Sequence, residues 1–332
     1  MRPLILILAC ALLPGSLAAQ TLTTPPRPDP AGTLSLSIEN DVLGGTDRYY
    51  TNGLLLTWRS PSSDLPSPLA WLDRQLDFLQ GPGDLRWGLA IGHSLFTPQD
   101  TRAINPDRTD RPYAGLLNGA VSLTRNTGSS YSIVEVQFGL LGRSAGGEYA
   151  QNEFHRRIGS PRSNGWDHQL RDEPVAALVV GRVWRVPVFE TDLVQGEILP
   201  SVTVSVGTPH TYAGAGGMVR VGRMLGADFG PPRIRPALAG SQFFQPTDNG
   251  LGWYVFAGAE GRVVVHDATL GNTWRDSRSV NHRPLVADMQ AGLAVIWRGV
   301  RFSYTQVWRT EEFYGQRGGL QQFGSFSASF RF

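Results

Sequence analysis

The last eight residues, Ser325-Phe326-Ser327-Ala328-Ser329-Phe330-Arg331-Phe332, alternate between small or charged groups and apolar ones. A strand points successive side chains to opposite faces, so this segment carries one apolar face and one polar face. The same period recurs upstream. Leu34, Leu36 and Ile38 stand against Ser35, Ser37 and Glu39. Val134, Val136, Phe138 and Leu140 stand against Glu135, Gln137 and Gly139, and Val300, Phe302 and Tyr304 against Arg301, Ser303 and Thr305. Each run is about ten residues long, the length of a tilted strand crossing a bilayer.

Extending the pattern predicts strands near 33–41, 50–60, 85–96, 113–125, 130–142, 174–186, 196–207, 215–224, 251–265, 286–297, 300–310 and 321–332. That makes twelve, an even number, which lets the first and last strands meet antiparallel. Residues 233–240 are assigned to a long turn rather than to a thirteenth strand. The expected fold is all-β: an antiparallel transmembrane β-barrel over 33–332, with short helices in the outer loops. A soluble sandwich or lipocalin-like barrel alternates too. The membrane form is favoured by Trp58, Trp87, Trp184, Trp253, Trp297 and Trp308 near strand ends, where an interfacial girdle belongs. It is also favoured by an aromatic end inside a strand, the expected handle for the barrel-assembly machinery.

Composition agrees. Hydrophobic residues make up 41% of the chain, and no stretch past the N-terminus approaches the ~18 apolar residues of a membrane helix. The net charge of +2 gives no case for nucleic-acid binding. All 30 basic residues are arginine. A GC-rich genome explains that, and so do rim guanidinium groups that grip phosphates. Arg2, the apolar run Leu4 to Leu13, and small residues Ser16, Ala18 and Ala19 read as a signal peptide over 1–19. Cys10 is the only cysteine, so the mature chain would have no disulfide and no thiolate chemistry. Residues 20–32, rich in Thr and Pro, read as a flexible periplasmic lead-in.

With the N-terminus in the periplasm, the connections 42–49, 97–112, 143–173, 208–214, 266–285 and 311–320 face outward. The long inner connections 61–84 and 225–250 are expected to be short helices capping the barrel floor. Three polar clusters share the outer end. They are Asn40-Asp41 with Thr46-Asp47-Arg48-Tyr49-Tyr50-Thr51-Asn52-Gly53, Asp110-Arg111-Pro112-Tyr113-Ala114-Gly115, and Gln151 to Gly159 with Gly165-Trp166-Asp167-His168-Gln169-Leu170. Residues 147–158 read as a helix, with Phe154 and Ile158 on one face, Gln151 and His155 on another, and Gly159 at the C-cap.

These residue types permit hydrolysis. His155 can take a proton from water. Asp41 with backbone carbonyls can hold a hard cation such as calcium, and Asn40 and Thr51 can orient water or donate to an oxyanion. Ordinary hairpin chemistry explains the same residues without catalysis. A catalytically silent barrel and a diffusion pore therefore stay open at this stage.

The clusters together resemble the outer-membrane lipid A 3′-O-deacylase (LpxR-type) family. The likeness rests on Glu39-Asn40-Asp41, the Thr46 to Gly53 segment, Asp110 to Gly115, His155 and Gly165 to Leu170. It implies a twelve-stranded, calcium-dependent outer-membrane hydrolase that removes the 3′-linked acyloxyacyl group of lipid A, the lipopolysaccharide anchor of the outer leaflet. The family's catalytic Asn-Asp pair falls on Asn40 and Asp41, its Thr or Ser on Thr51 and its base on His155. Substrate contacts are expected at Arg111, Tyr113, Arg156 and Arg157. The family carries a Glu six residues after its His, and here that position is Pro161. Lipid A lies outside the barrel, so the site should open sideways. Asn40 has the parity of lipid-facing Ile38, whereas Thr51 has lumen parity unless a bulge at Asn52-Gly53 re-aims it.

Overall fold

The computed structural model describes residues 26–45, 48–62, 64–80, 83–238 and 240–332. The expected signal peptide, and Thr46-Asp47 of the first hairpin, lie outside these residues.

Among the described residues twelve antiparallel strands close into one barrel. They are β1 (Thr33–Asn40), β2 (Tyr49–Arg59), β3 (Asp84–Thr97), β4 (Ala114–Asn126), β5 (Ser130–Leu141), β6 (Glu173–Trp184), β8 (Gln195–Gly207), β9 (His210–Arg223), β10 (Gly252–Asp267), β11 (Leu285–Trp297), β12 (Val300–Arg309) and β13 (Gln321–Arg331). Each pairs with its chain neighbour, and β1 meets β13 with Thr33 opposite Arg331. A five-residue strand, β7 (Val186–Glu190), only prolongs the edge of β6 along β8. Among the described residues no helix is long and apolar enough to cross a membrane.

The alternation decides which way each side chain points. Leu34, Leu36, Ile38, Leu54, Leu56, Leu89 and Ile91 are exposed on the outside, while Ser35, Ser37, Glu39, Thr57 and Arg59 are buried in the lumen. The short turns 127–129 and 298–299 lie at the end where β1 begins, and the long loops 98–113, 142–172 and 268–284 lie at the other, as in bacterial outer-membrane barrels.

Three details differ from expectation, and a fourth agrees with it. Strand β9 starts at His210, so the outer connection there is only Thr208-Pro209. Its lumen face carries His210 and Tyr212, which are polar, and so no apolar alternation marks its start. Residues 26–32 are not a loose lead-in: Asp29 is buried and bridges Arg86 and Arg331 at 2.8 and 2.5 Å. The connection 61–84 does hold a helix, α1 (Ser67–Gln80), tied to the wall by Arg125 on Asp73. The connection after β9 is no floor. Residues 228–238 and 240–244 fold up into the lumen, where Phe229, Ala237, Leu238, Phe243 and Phe244 are buried.

Ion pairs hold this plug. Arg233 binds Glu39 of β1 at 2.5 Å and Gln290 of β11 at 3.0 Å. Plug residue Asp228 takes Arg220 of β9, Arg301 of β12 and the Tyr254 hydroxyl of β10. Wall Arg59 donates to Gln242. A cavity of about 50 Å³ between Arg235 of the plug and Asn118 of the wall has room for ordered water only. In a planar bilayer the purified barrel should show no steady single-channel conductance. Stepwise openings at resting voltage would show that the plug does not seal it.

Candidate active site

The first hairpin sets the near side of the site. Asn40 ends β1 on the lipid-facing parity, and its Oδ1 accepts the Val42 N–H, capping the 3₁₀ turn Asp41–Gly44. With Oδ1 so occupied, the Asn40 amide nitrogen is the group left to donate. Asp41 is fully buried, and its Oδ2 accepts the Arg48 N–H at 2.5 Å, which closes the turn over the carboxylate. Tyr49 enters β2 at φ 67°, a left-handed conformation uncommon outside glycine. Its hydroxyl donates to the Arg317 carbonyl and accepts the Arg317 N–H, both at 3.0 Å, which fixes the turn.

The bulge is at Thr51 itself. Pairing with β3 skips from Tyr50 to Asn52. Thr51 is thereby turned to the outer face, where its Oγ1 meets Thr97 Oγ1 at 2.7 Å. The parity conflict in the sequence is thus resolved one residue earlier than expected. Asn40, Asn52 and Leu95 now follow one another across the outer wall in β1, β2 and β3, each strand about 5 Å from the next.

The far side is the loop 142–172, which folds down over that wall. Helix α2 (Gly147–Ile158) begins against Leu95 and Trp166: a Cβ on Gly147 would stand 2.6 Å from Trp166 Cη2 and 3.1 Å from Leu95 Cδ2. Trp166 Nε1 donates to Gln151 Oε1 at 2.7 Å, locking the next turn of α2. Gly159 ends the helix at φ 72°, the left-handed cap its sequence position implies.

His155 lies one turn past Gln151 and is 6% exposed. Its Nδ1 is 2.6 Å from the Pro161 carbonyl oxygen. A carbonyl only accepts, so Nδ1 carries the hydrogen and Nε2 of the neutral ring keeps its lone pair. The residue at the family's Glu position thus orients the ring through its backbone. The nearby carboxylates are engaged elsewhere: Asp167 with Arg143, Asp172 with Ser144, and Glu153 with Arg156 and Arg157. Hydrogen bonds from Arg156 and then Arg157 hold the Glu153 carboxyl below its usual range. At Asp172 partial burial pushes upward, but the two bonds from Ser144 outweigh it and the carboxyl is lowered. Both stay ionised near neutrality and are poor proton donors.

His155 also lines an open groove of about 580 Å³ with Glu148, Tyr149, Asn152, Arg156, Ser160 and Arg162. Arg156 is exposed there and Arg157 is exposed outside it, both paired with Glu153. Arg111 and Tyr113 are placed differently. Arg111 is fully buried, donates to Glu312 at 2.7 Å and Thr269 at 2.6 Å, and lies over the Phe96 ring. Tyr113 is buried against Trp166 and donates to the Thr101 carbonyl at 3.0 Å. Neither can touch a substrate in this arrangement; they hold the outer loops together. Of the residues expected in the site, Asn40 and Thr51 lie at the outer ends of β1 and β2, Asp41 is buried in the turn between them, and His155 lies on the helix packed over the neighbouring wall, in a groove that none of the other three lines. Pro161, whose role is a backbone atom's, has no signal in the sequence.

A family model described as outer membrane protein LpxR matches residues 4–332. The structure is similar to LpxR from Salmonella typhimurium, with a TM-score of 0.72 and 21% identity over 90% of this chain and 100% of that one. The β domain of the Bordetella autotransporter BrkA gives a TM-score of 0.41 at 11% identity, over 91% and 98% of the two chains. The Pseudomonas putida toluene transporter TodX gives 0.32 at 8%, over 93% and 91%. No curated protein sequence matches. With nearly its whole length matched and a closed twelve-strand barrel, the chain belongs to the LpxR family of outer membrane proteins.

Proposed function

We propose that the protein is an outer-membrane esterase that removes a 3′-linked acyl group from lipid A. The observation that carries this reading is the His155 ring, held by the Pro161 carbonyl with Nε2 left as the base. In the reaction Nε2 takes a proton from water as the water oxygen attacks the ester carbonyl carbon. The Asn40 amide and the Thr51 hydroxyl donate to the oxygen on which charge develops. His155 then returns its proton to the departing sugar oxygen. The products are a free sugar hydroxyl and a fatty acid. Arg156, Arg157 and Arg162 supply guanidinium groups for the phosphates of the head.

Calcium is part of this reading. The donors around Asp41 are oxygens, the buried carboxylate and the carbonyls of its 3₁₀ turn, and they suit a hard cation. Bound there, the ion would add positive charge beside the developing oxyanion. Among the described residues no group of three or more His, Cys, Asp or Glu surrounds it. With so few charged ligands the affinity should be weak, with a Kd on the order of 10⁻⁴–10⁻³ M. Mass spectrometry of lipid A from cells with and without the protein tests the activity: the mass of one acyl substituent should be lost. Chelation should abolish the loss, and calcium in that range should restore it. Tight retention through dialysis would contradict a site built on Asp41 and neutral oxygens.

A further inference from the structure

The apolar side of α2 runs out from under its protein cover. At about 100° per residue, Gly147, Gln151, Phe154 and Ile158 fall within one sector of roughly 60°. The first two are buried, Gly147 against Leu95 and Trp166 and Gln151 through the Trp166 indole. Phe154 and Ile158 continue the same sector, yet they are 46% and 54% exposed. A large aromatic and a β-branched residue are thus left bare on the side of the helix that faces the barrel wall. The outer surface of that wall, with Leu54 and Ile91 exposed on it, already meets lipid hydrocarbon.

We infer that Phe154 and Ile158 are the docking surface for a hydrocarbon chain of an outer-leaflet lipid, the chain whose ester His155 attacks. The helix is partitioned for such a molecule. His155 sits about 40° beyond Gln151, at the edge of the apolar sector. On its other side lies the polar groove with Arg156 and Arg162. A lipid with an apolar chain on Phe154 and Ile158 and an anionic head in the groove has its ester at the boundary, beside the histidine. At its Gly147 end the apolar sector packs on Leu95 of β3, the strand that carries lipid-facing Leu89 and Ile91, and the arginines complement the charge of the head. An acyl chain satisfies both constraints; bulk water on two bare side chains satisfies neither.

This rests on the esterase reading, so the test separates the two. Cys10 is the only cysteine, and single probes can be placed in a C10S background as F154C, I158C and Y149C. Each is labelled with an environment-sensitive fluorophore and placed in lipopolysaccharide membranes doped with lipid brominated along its chains. Quenching should be several-fold stronger at 154 and 158 than at 149, which lies on the opposite side of α2. Equal quenching at all three, or none at 154 and 158, overturns the inference. The F154S/I158S variant should raise the KM for lipid A roughly tenfold or more while kcat changes little. An unchanged KM beside an active wild type also overturns it. Quenching confined to 154 and 158 in a chain without deacylase activity would support the docking surface and defeat the esterase reading instead.

Discussion

Replacing His155 by glutamine should leave a barrel that folds and inserts normally but releases acyl groups about 10²–10⁴-fold more slowly, the usual worth of a positioned general base. That corresponds to about 3–5 kcal/mol of lost transition-state stabilisation. Glutamine keeps the length of the side chain and offers an amide, but its nitrogen has no basic lone pair, so the proton of the attacking water has nowhere to go. The fold should tolerate the change because the site's frame is built from other groups. Gly147, Gln151 and Trp166 seat the helix, and Gly159 ends it. The measurement pairs the initial rate of lipid A deacylation with gel migration before and after heating, which reports the folded barrel. A folded H155Q protein as fast as wild type would sink the assignment of the base. Because Pro161 contributes a backbone carbonyl, the variant P161A should stay within a few-fold of wild type if its loop holds. H155Q should not.

The wall of the barrel was legible in the sequence because lipid outside and polar lumen inside impose opposite demands on alternate residues. Asn40 could be placed on the outer face by counting from Ile38. Thr51 was ambiguous by the same count, because a bulge inserts a residue without any letter that marks its position. Arg111 read as a rim residue ready for phosphate, and only its distant partner Glu312 shows that it is buried. The lumen plug was illegible for a related reason. Its neighbours on the inner wall are mixed, Glu39, Arg220 and Arg301 beside Tyr131, Val183, Leu199 and Met218, so no single period is imposed on it, and its Pro, Gly and Arg content resembles a loop. The Pro161 contact is made by an atom that every residue possesses.

That plug carries the other large expected effect. Asp228→Asn should lower the barrel's stability by about 3–5 kcal/mol, the cost of leaving a buried charge without its partner. Asp228 is wholly buried and joins three wall strands, with its carboxylate taking Arg220, Arg301 and the Tyr254 hydroxyl. Arg220 would keep Glu197 at 2.6 Å. Arg301 would keep only neutral oxygens, the Ser241 and Phe243 carbonyls and the Ser329 hydroxyl. Its charge would then sit in a closed lumen with no carboxylate on it. Burial by itself would raise the Asp228 carboxyl, but the two guanidinium groups outweigh burial and hold it well below the usual carboxylate range. For a depressed carboxylate, the stabilisation is complete above the ordinary value near 3.9 and is lost only as pH falls toward the lowered one. The difference in unfolding midpoint between wild type and D228N, followed by heat- or urea-induced gel shift in detergent, should therefore be flat from about pH 5 upward. It should shrink only in strong acid. A difference that disappears between pH 5 and 7 would mean that Asp228 is not the ionised centre of the plug. Equal midpoints throughout would mean that the plug adds little to the closed barrel.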